Sequence, residues 1–174
     1  MKAIIIKKIP IREYDELVVC YTKEEGKQAY QAKSILLPTS KQAGHLDILN
    51  LVDFNLALGN GPVKRGYGLP IITSAYCLDP FRFMKASLRA MMPAFFLVEL
   101  FDKAVMEGER DDKLWDFLVS KLEYLNSEAN AINVKECLAG IHGEALEVLG
   151  YTLRESIEEI TNRRFTSLSS SFEI

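Results

Sequence analysis

Lysine and arginine recur through the first part of this 174-residue chain in the company of tyrosine, at Lys7, Lys8, Arg12, Lys23, Lys27, Lys33, Lys41, Lys64 and Arg65 among Tyr14, Tyr21, Tyr30 and Tyr67. Cations that track phosphates, and aromatic faces on which bases stack at about 1–3 kcal/mol each, are the two parts with which a protein holds a single-stranded polyanion. The densest pairing is Lys64-Arg65-Gly66-Tyr67, where a glycine opens the backbone beside two positive charges and a ring. Any one of these residues can equally be a solvated charge or a ring at a sheet edge. The chemistry therefore requires convergence, with Lys8, Lys33, Lys41 and Arg65 gathered along one furrow.

Other chemistries find less support. Gly59-Asn60-Gly61 and Gly66-Tyr67-Gly68 lack the lysine-serine/threonine ending and the helix start of a phosphate loop, so they read as turn glycines. His45 and Asp47 fall on one face of an expected strand, but a third metal ligand is not evident and a polar strand end accounts for both. His142, between Ile141 and Gly143, reads as a packed or surface histidine, and Glu155, Glu158 and Glu159 as a solvated helix face. Cys20, Cys77 and Cys137 are too far apart for ligand spacing and are odd in number, as expected of reduced thiols rather than a disulfide framework. The expectation is a protein without catalytic residues, metal or cofactor.

The net charge of −3 hides an asymmetry. Residues 1–80 hold ten Lys/Arg against eight Asp/Glu, whereas residues 81–174 hold eleven against sixteen. Neither half is basic enough to bind nucleic acid through bulk charge, so local clustering on one face has to supply the attraction. Apolar content of 48% supports a core without disulfides. No stretch reads as a signal peptide or reaches the ~18 apolar residues of a membrane span, and a cytoplasmic protein is expected.

The elements that must position these residues change character at Asp79-Pro80. Before it, turn signals separate β-type runs: residues 2–9, closed by Pro10; Glu16 to Thr22; and Lys27 to about Leu37, joined to the second run as a hairpin through Gly26. His45 to Leu58 alternates Leu46, Ile48, Val52, Phe54, Leu56 and Leu58 against Asp47, Asp53 and Asn55, which predicts a long bent strand, and Leu69 to Leu78 a fifth. Five antiparallel strands fit an OB-type barrel over residues 1–79. Residues 80–174 then predict an α-helical domain, giving an α+β chain overall. Asp79 is expected to cap its first helix, Pro93 to break or kink it and Gly108 to end it. Further helices are predicted from Asp112 to about Asn126, Asn133 to Leu149 and Thr152 to about Arg164, with a fraying serine-rich tail at Ser167–Ser171.

In order along the chain, Lys2-Ala3-Ile4-Ile5, Glu13, Asp15, Leu17-Val18, Tyr21 through Lys27, Ala32-Lys33, Gly68 through Thr73, Asp79-Pro80-Phe81, Glu99-Leu100-Phe101 and Leu149-Gly150-Tyr151 resemble the RecO family of recombination mediators. That resemblance implies an OB fold followed by a helical domain, and a nucleoid-associated role in DNA repair and recombination after DNA damage. It implies binding of single-stranded DNA, strand annealing, and two partners, RecR and the acidic, phenylalanine-ended tail of single-strand DNA-binding protein. Lys7, Lys8, Arg12, Lys27, Lys33, Lys41, Lys64, Arg65 and Tyr67 are the candidate DNA contacts. Arg82, Lys85 and Arg89, expected on one helix beside Phe81, Phe83, Met84, Met91, Met92, Phe95 and Phe96, are the candidate partner contacts. Two departures matter. Lys33 is followed by Ser34-Ile35-Leu36-Leu37-Pro38 where the family usually carries glycine and clustered arginines, and Thr152 follows Tyr151 where many relatives carry a four-cysteine zinc module. The chain thus resembles a compact, zinc-free relative with modest DNA affinity, and the alternative is an interaction scaffold with little or none.

Overall fold

A computed structural model describes residues 1–58 and 69–150. Lys64, Arg65 and Tyr67, the expected fourth helix and the serine-rich tail lie outside the described residues. The described chain forms two compact units, one of Met1–Pro80 with Glu107–Arg110, the other of Phe81–Met106 with the residues from Asp111 onward.

The first unit is a closed barrel of OB type, built from β1 (Lys2–Pro10), β2 (Glu16–Thr22), β3 (Gly26–Ala32), β4 (Leu51–Ala57) and β5 (Ile71–Asp79) in the order β1-β2-β3-β5-β4. Neighbouring strands are antiparallel except β3 and β5, which close the wall in parallel at Gln31 and Ile71. Alternate residues point inward, so Ala3, Ile5, Val18, Cys20, Tyr30, Val52, Phe54 and Ile72 share one core. Tyr30 and Phe54 meet edge to face at 5.3 Å, a geometry that adds about 0.5–1.5 kcal/mol beyond area burial. Burial raises the Cys20 thiol well above its ordinary range, as it does the Tyr30 phenol, whose hydroxyl also donates to Glu25 Oε2 at 2.9 Å.

Two strands are shorter than their patterns predict. β3 stops at Ala32 rather than near Leu37, because Asp15 accepts from the Ser34 N–H at 2.8 Å and from Gln31 Nε2 at 3.1 Å, while Ser34 adopts a φ of 55°. The chain turns there instead of extending. The alternation from His45 to Leu58 yields only the seven residues of β4. Leu46 and Leu49 are buried from turns, with Leu49 at a φ of 69°, and the buried Asn50 side chain donates to the Gly44 and His45 carbonyls at 3.0 Å each. Turns that bury leucines reproduce a period of two without being strand.

The helical unit contains α1 (Arg82–Ala86), α2 (Leu88–Ala104), α3 (Asp112–Ser127) and α4 (Val134–Val148). The helices do not start at Asp79, which is paired with Leu51 in the sheet; Phe81, buried at a φ of 47°, makes the junction without a side-chain cap. An extended Ser87, whose hydroxyl donates to the Ala129 carbonyl at 2.6 Å, divides α1 from α2. Pro93 does not break α2. It lies near the N-terminal end, where the missing N–H removes one ladder bond, and its ring is buried. The helix ends at Ala104, and Gly108 instead supplies a φ of 77° within Glu107–Arg110. α3 starts with the Asp111 carboxylate accepting from the Lys113 N–H at 2.7 Å and buries Leu114, Phe117, Leu118, Leu122 and Leu125. α4 starts with Asn133 accepting from the Glu136 N–H. His142 on α4 stacks on Phe96 of α2 at 6.4 Å, and desolvation lowers its pKa.

Candidate nucleic-acid interface

The barrel's second strand carries the candidate site at one end. After β1 the chain makes a tight loop in which the Ile11 and Arg12 N–H groups donate to the Asp15 carbonyl, and the Leu36 N–H donates to the Tyr14 carbonyl at 3.1 Å. Together with the Asp15 carboxylate on Ser34 and Gln31, these bonds tie residues 11–15 to the segment just past β3. Arg12, Tyr14 and Lys33 come together there, all exposed, with Arg12 Nη1 3.6 Å from Asp15. Hydrogen bonding to Glu13 and then partial desolvation raise the Tyr14 phenol, so its ring is neutral across the physiological range. A guanidinium, an ammonium and a neutral ring on one rim are the elements of a phosphate-and-base contact.

The remaining candidates are spread over other places. Lys27 stands at the opposite end of the β2–β3 hairpin, about 20 Å from Lys33 at roughly 3.3 Å per residue, and its carbonyl accepts from the Gly108 N–H at 2.9 Å. Lys7 is exposed on the outer wall, in register with Val19. A shift in the β1–β2 register between Ile5 and Lys7 turns the next residue, Lys8, inward at the barrel mouth. There its Nζ lies 2.8 Å from Oε2 of Glu16, which is 6% exposed. Lys41 is exposed in the connection between β3 and β4. Of the tyrosines read as stacking groups, Tyr21 and Tyr30 are buried, Tyr21 donating from its hydroxyl to the Glu109 carbonyl at 3.3 Å. Nor do His45 and Asp47 share a strand face: the His45 ring packs on Tyr76, and no group of His, Cys, Asp or Glu among the described residues is arranged to hold a metal ion.

Tyr76 escaped the sequence reading. It is 66% exposed, the most open tyrosine among the described residues, but it sits between Ala75 and Cys77 with no basic neighbour to draw attention to it.

In the helical unit, Arg82 and Lys85 lie on α1 and Arg89 on α2, so the three do not share one helix. Phe81, Met84 and Phe96 are core, whereas Phe83, Leu88 and Phe95 are exposed at 72%, 80% and 47%. Leu88, Met92 and Phe95 follow the spacing of one face of α2. Arginines beside open apolar side chains are the elements of a site for an acidic, aromatic-ended peptide. A separate groove of about 360 Å³ lies between α3 and α4, crossed by the Lys121–Glu144 ion pair at 2.5 Å. No helix among the described residues is long and apolar enough to cross a membrane.

Residues 1–81 match the family described as Recombination protein O N terminal. Among curated proteins, the chain is 30% identical over 125 residues to the DNA repair protein RecO of Syntrophomonas wolfei, covering 72% of this chain and 47% of that protein. It is 30% identical over 150 residues to the RecO of Dehalococcoides mccartyi (86% and 55%) and 26% identical over 166 residues to that of Clostridium kluyveri (95% and 61%). The chain thus spans about half the length of the curated relatives it matches. With the matching barrel and these relatives along most of its length, the chain carries the N-terminal domain of the RecO family and is similar to RecO proteins beyond it.

Proposed function

We propose that this protein is a non-enzymatic DNA repair and recombination factor of the cytoplasm and nucleoid that binds single-stranded DNA through its barrel and promotes annealing of complementary strands. Its helices recruit RecR and the acidic tail of single-strand DNA-binding protein. The observation that supports this reading best is the rim on which Arg12, Tyr14 and Lys33 meet at one end of an OB barrel. Neutralising phosphates lets two like-charged strands approach, so annealing on this surface needs no nucleotide hydrolysis.

With about four phosphates contacted, log affinity for a labelled oligonucleotide should fall with log salt at a slope of roughly −3. The double variant Arg12→Ala/Lys33→Ala should weaken binding and flatten that slope by roughly 0.7 for each phosphate no longer neutralised. Fluorescence anisotropy across a salt series measures both. A second reading, a scaffold that binds RecR but little DNA, is favoured by the Lys8–Glu16 pairing and by the serine and leucines where relatives carry arginines. Absent DNA binding at micromolar protein, with RecR still captured, would decide for it.

On the helical side, Arg82→Glu/Arg89→Glu should weaken binding of an acidic, phenylalanine-ended peptide by roughly tenfold or more, since each reversal replaces attraction with repulsion. Isothermal titration with that peptide provides the check. Unchanged affinity would remove these arginines from the partner site.

A further inference from the structure

The exposed ring of Tyr76 on β5 is held in place. It stacks on His45 with centroids 5.9 Å apart and planes at 28°. His45 is itself fixed, because its Nδ1 accepts from the Cys77 N–H at 3.3 Å, which leaves the neutral ring's proton on Nε2. Three residues earlier, Gln42 Nε2 donates to the Thr73 carbonyl at 3.0 Å, so the stretch from Gln42 to His45 is strapped along β5 at two points. A tyrosine backed in this way loses little rotamer freedom on contact with a ligand.

Its surroundings suit a polyanion with flat bases. Thr73, Ser74 and Asn55 give the adjacent surface an exposed hydroxyl and amide network, joined by the Asn55 Nδ2 to Ser74 Oγ bond at 3.0 Å. Asp53 faces Tyr76 across the ladder, and it is paired with the Met1 ammonium at 2.8 Å, which offsets its charge. Lys41 is exposed immediately before Gln42, the residue clamped to Thr73, and Thr73 is about 10 Å along β5 from Tyr76 at roughly 3.3 Å per residue.

We infer that Tyr76, braced by His45, is a base-stacking platform for single-stranded nucleic acid, with Lys41 contacting a phosphate beside it. This rests on the DNA-binding reading above and extends it from the Arg12–Lys33 rim to the β5 face. A stack uses the π-face common to all bases, so the platform is sequence-tolerant.

The test is anisotropy of the full chain with labelled oligothymidylate and with a fully abasic oligonucleotide of the same length. Tyr76→Ala should weaken binding to the intact oligonucleotide by roughly 5- to 100-fold, while Tyr76→Phe and Tyr76→Trp keep it. His45→Ala should fall between. On abasic DNA the Tyr76→Ala loss should shrink towards nothing, which a merely structural tyrosine would not do. Wild-type binding left unchanged by Tyr76→Ala, or weakened equally on intact and abasic DNA, overturns the platform alone. No binding by the wild type overturns both the platform and the DNA-binding reading.

Discussion

Gly26→Ala should destabilise the barrel by about 3–4 kcal/mol and lower its thermal midpoint by roughly 10–25 °C. Gly26 begins β3 with a φ of 71°, where an L side chain is strained, and a Cβ built there would stand 2.1 Å from the Glu109 carbonyl oxygen. Relief would have to come from backbone. Glu107–Arg110 is anchored to the hairpin by the Gly108 N–H on the Lys27 carbonyl and by the Tyr21 hydroxyl on the Glu109 carbonyl, so shifting it breaks bonds at both. Gly108→Ala separates the two causes, since Gly108 has a φ of 77° but nothing within 4 Å of the methyl group that alanine would add. That variant should cost only the left-handed strain, about 1–2 kcal/mol. Urea unfolding of both measures the difference, and equal losses would mean that the segment yields without cost.

The sequence carries the barrel because its hairpin and its inward faces are local features. Gly26 after a polar run announces the β2–β3 turn, and the parity of Val18, Cys20, Tyr30 and Ala32 announces which faces meet. α3 and α4 are legible for the same reason, each with a side-chain cap and an apolar stripe within its own residues. What failed to show depends on partners outside the element itself. The alternation from His45 onward is shared between turns and strand, and only the buried Asn50 clamp tells them apart. Asp79 has the chemistry of a helix cap but is claimed by Leu51 across the sheet. Tyr76 becomes a candidate only when His45 is brought against it. The cations are the least legible of all, because composition gives their number while one register shift in β1 decides which way Lys8 points.

Lys8 therefore has a consequence of its own. Lys8→Met should destabilise the barrel by about 3 kcal/mol, because it leaves the Glu16 carboxylate buried at the mouth without its cation. Side-chain exposures of 18% for Lys8 and 7% for Glu16 put the pair in a setting where removing one partner costs far more than at a surface. Replacing both, as Lys8→Met/Glu16→Leu, should restore most of that stability, since an apolar pair of similar volume carries no desolvation penalty. Chemical unfolding of the two single variants and the double closes the cycle, with a coupling of about 2 kcal/mol expected. The same proteins decide what Lys8 does for DNA. Held well below its midpoint, Lys8→Met should keep the wild-type salt slope, whereas Arg12→Ala/Lys33→Ala flattens it. A Lys8→Met protein as stable as wild type but with a flattened slope would mean that this lysine leaves Glu16 to meet a phosphate, and that the barrel mouth belongs to the binding surface.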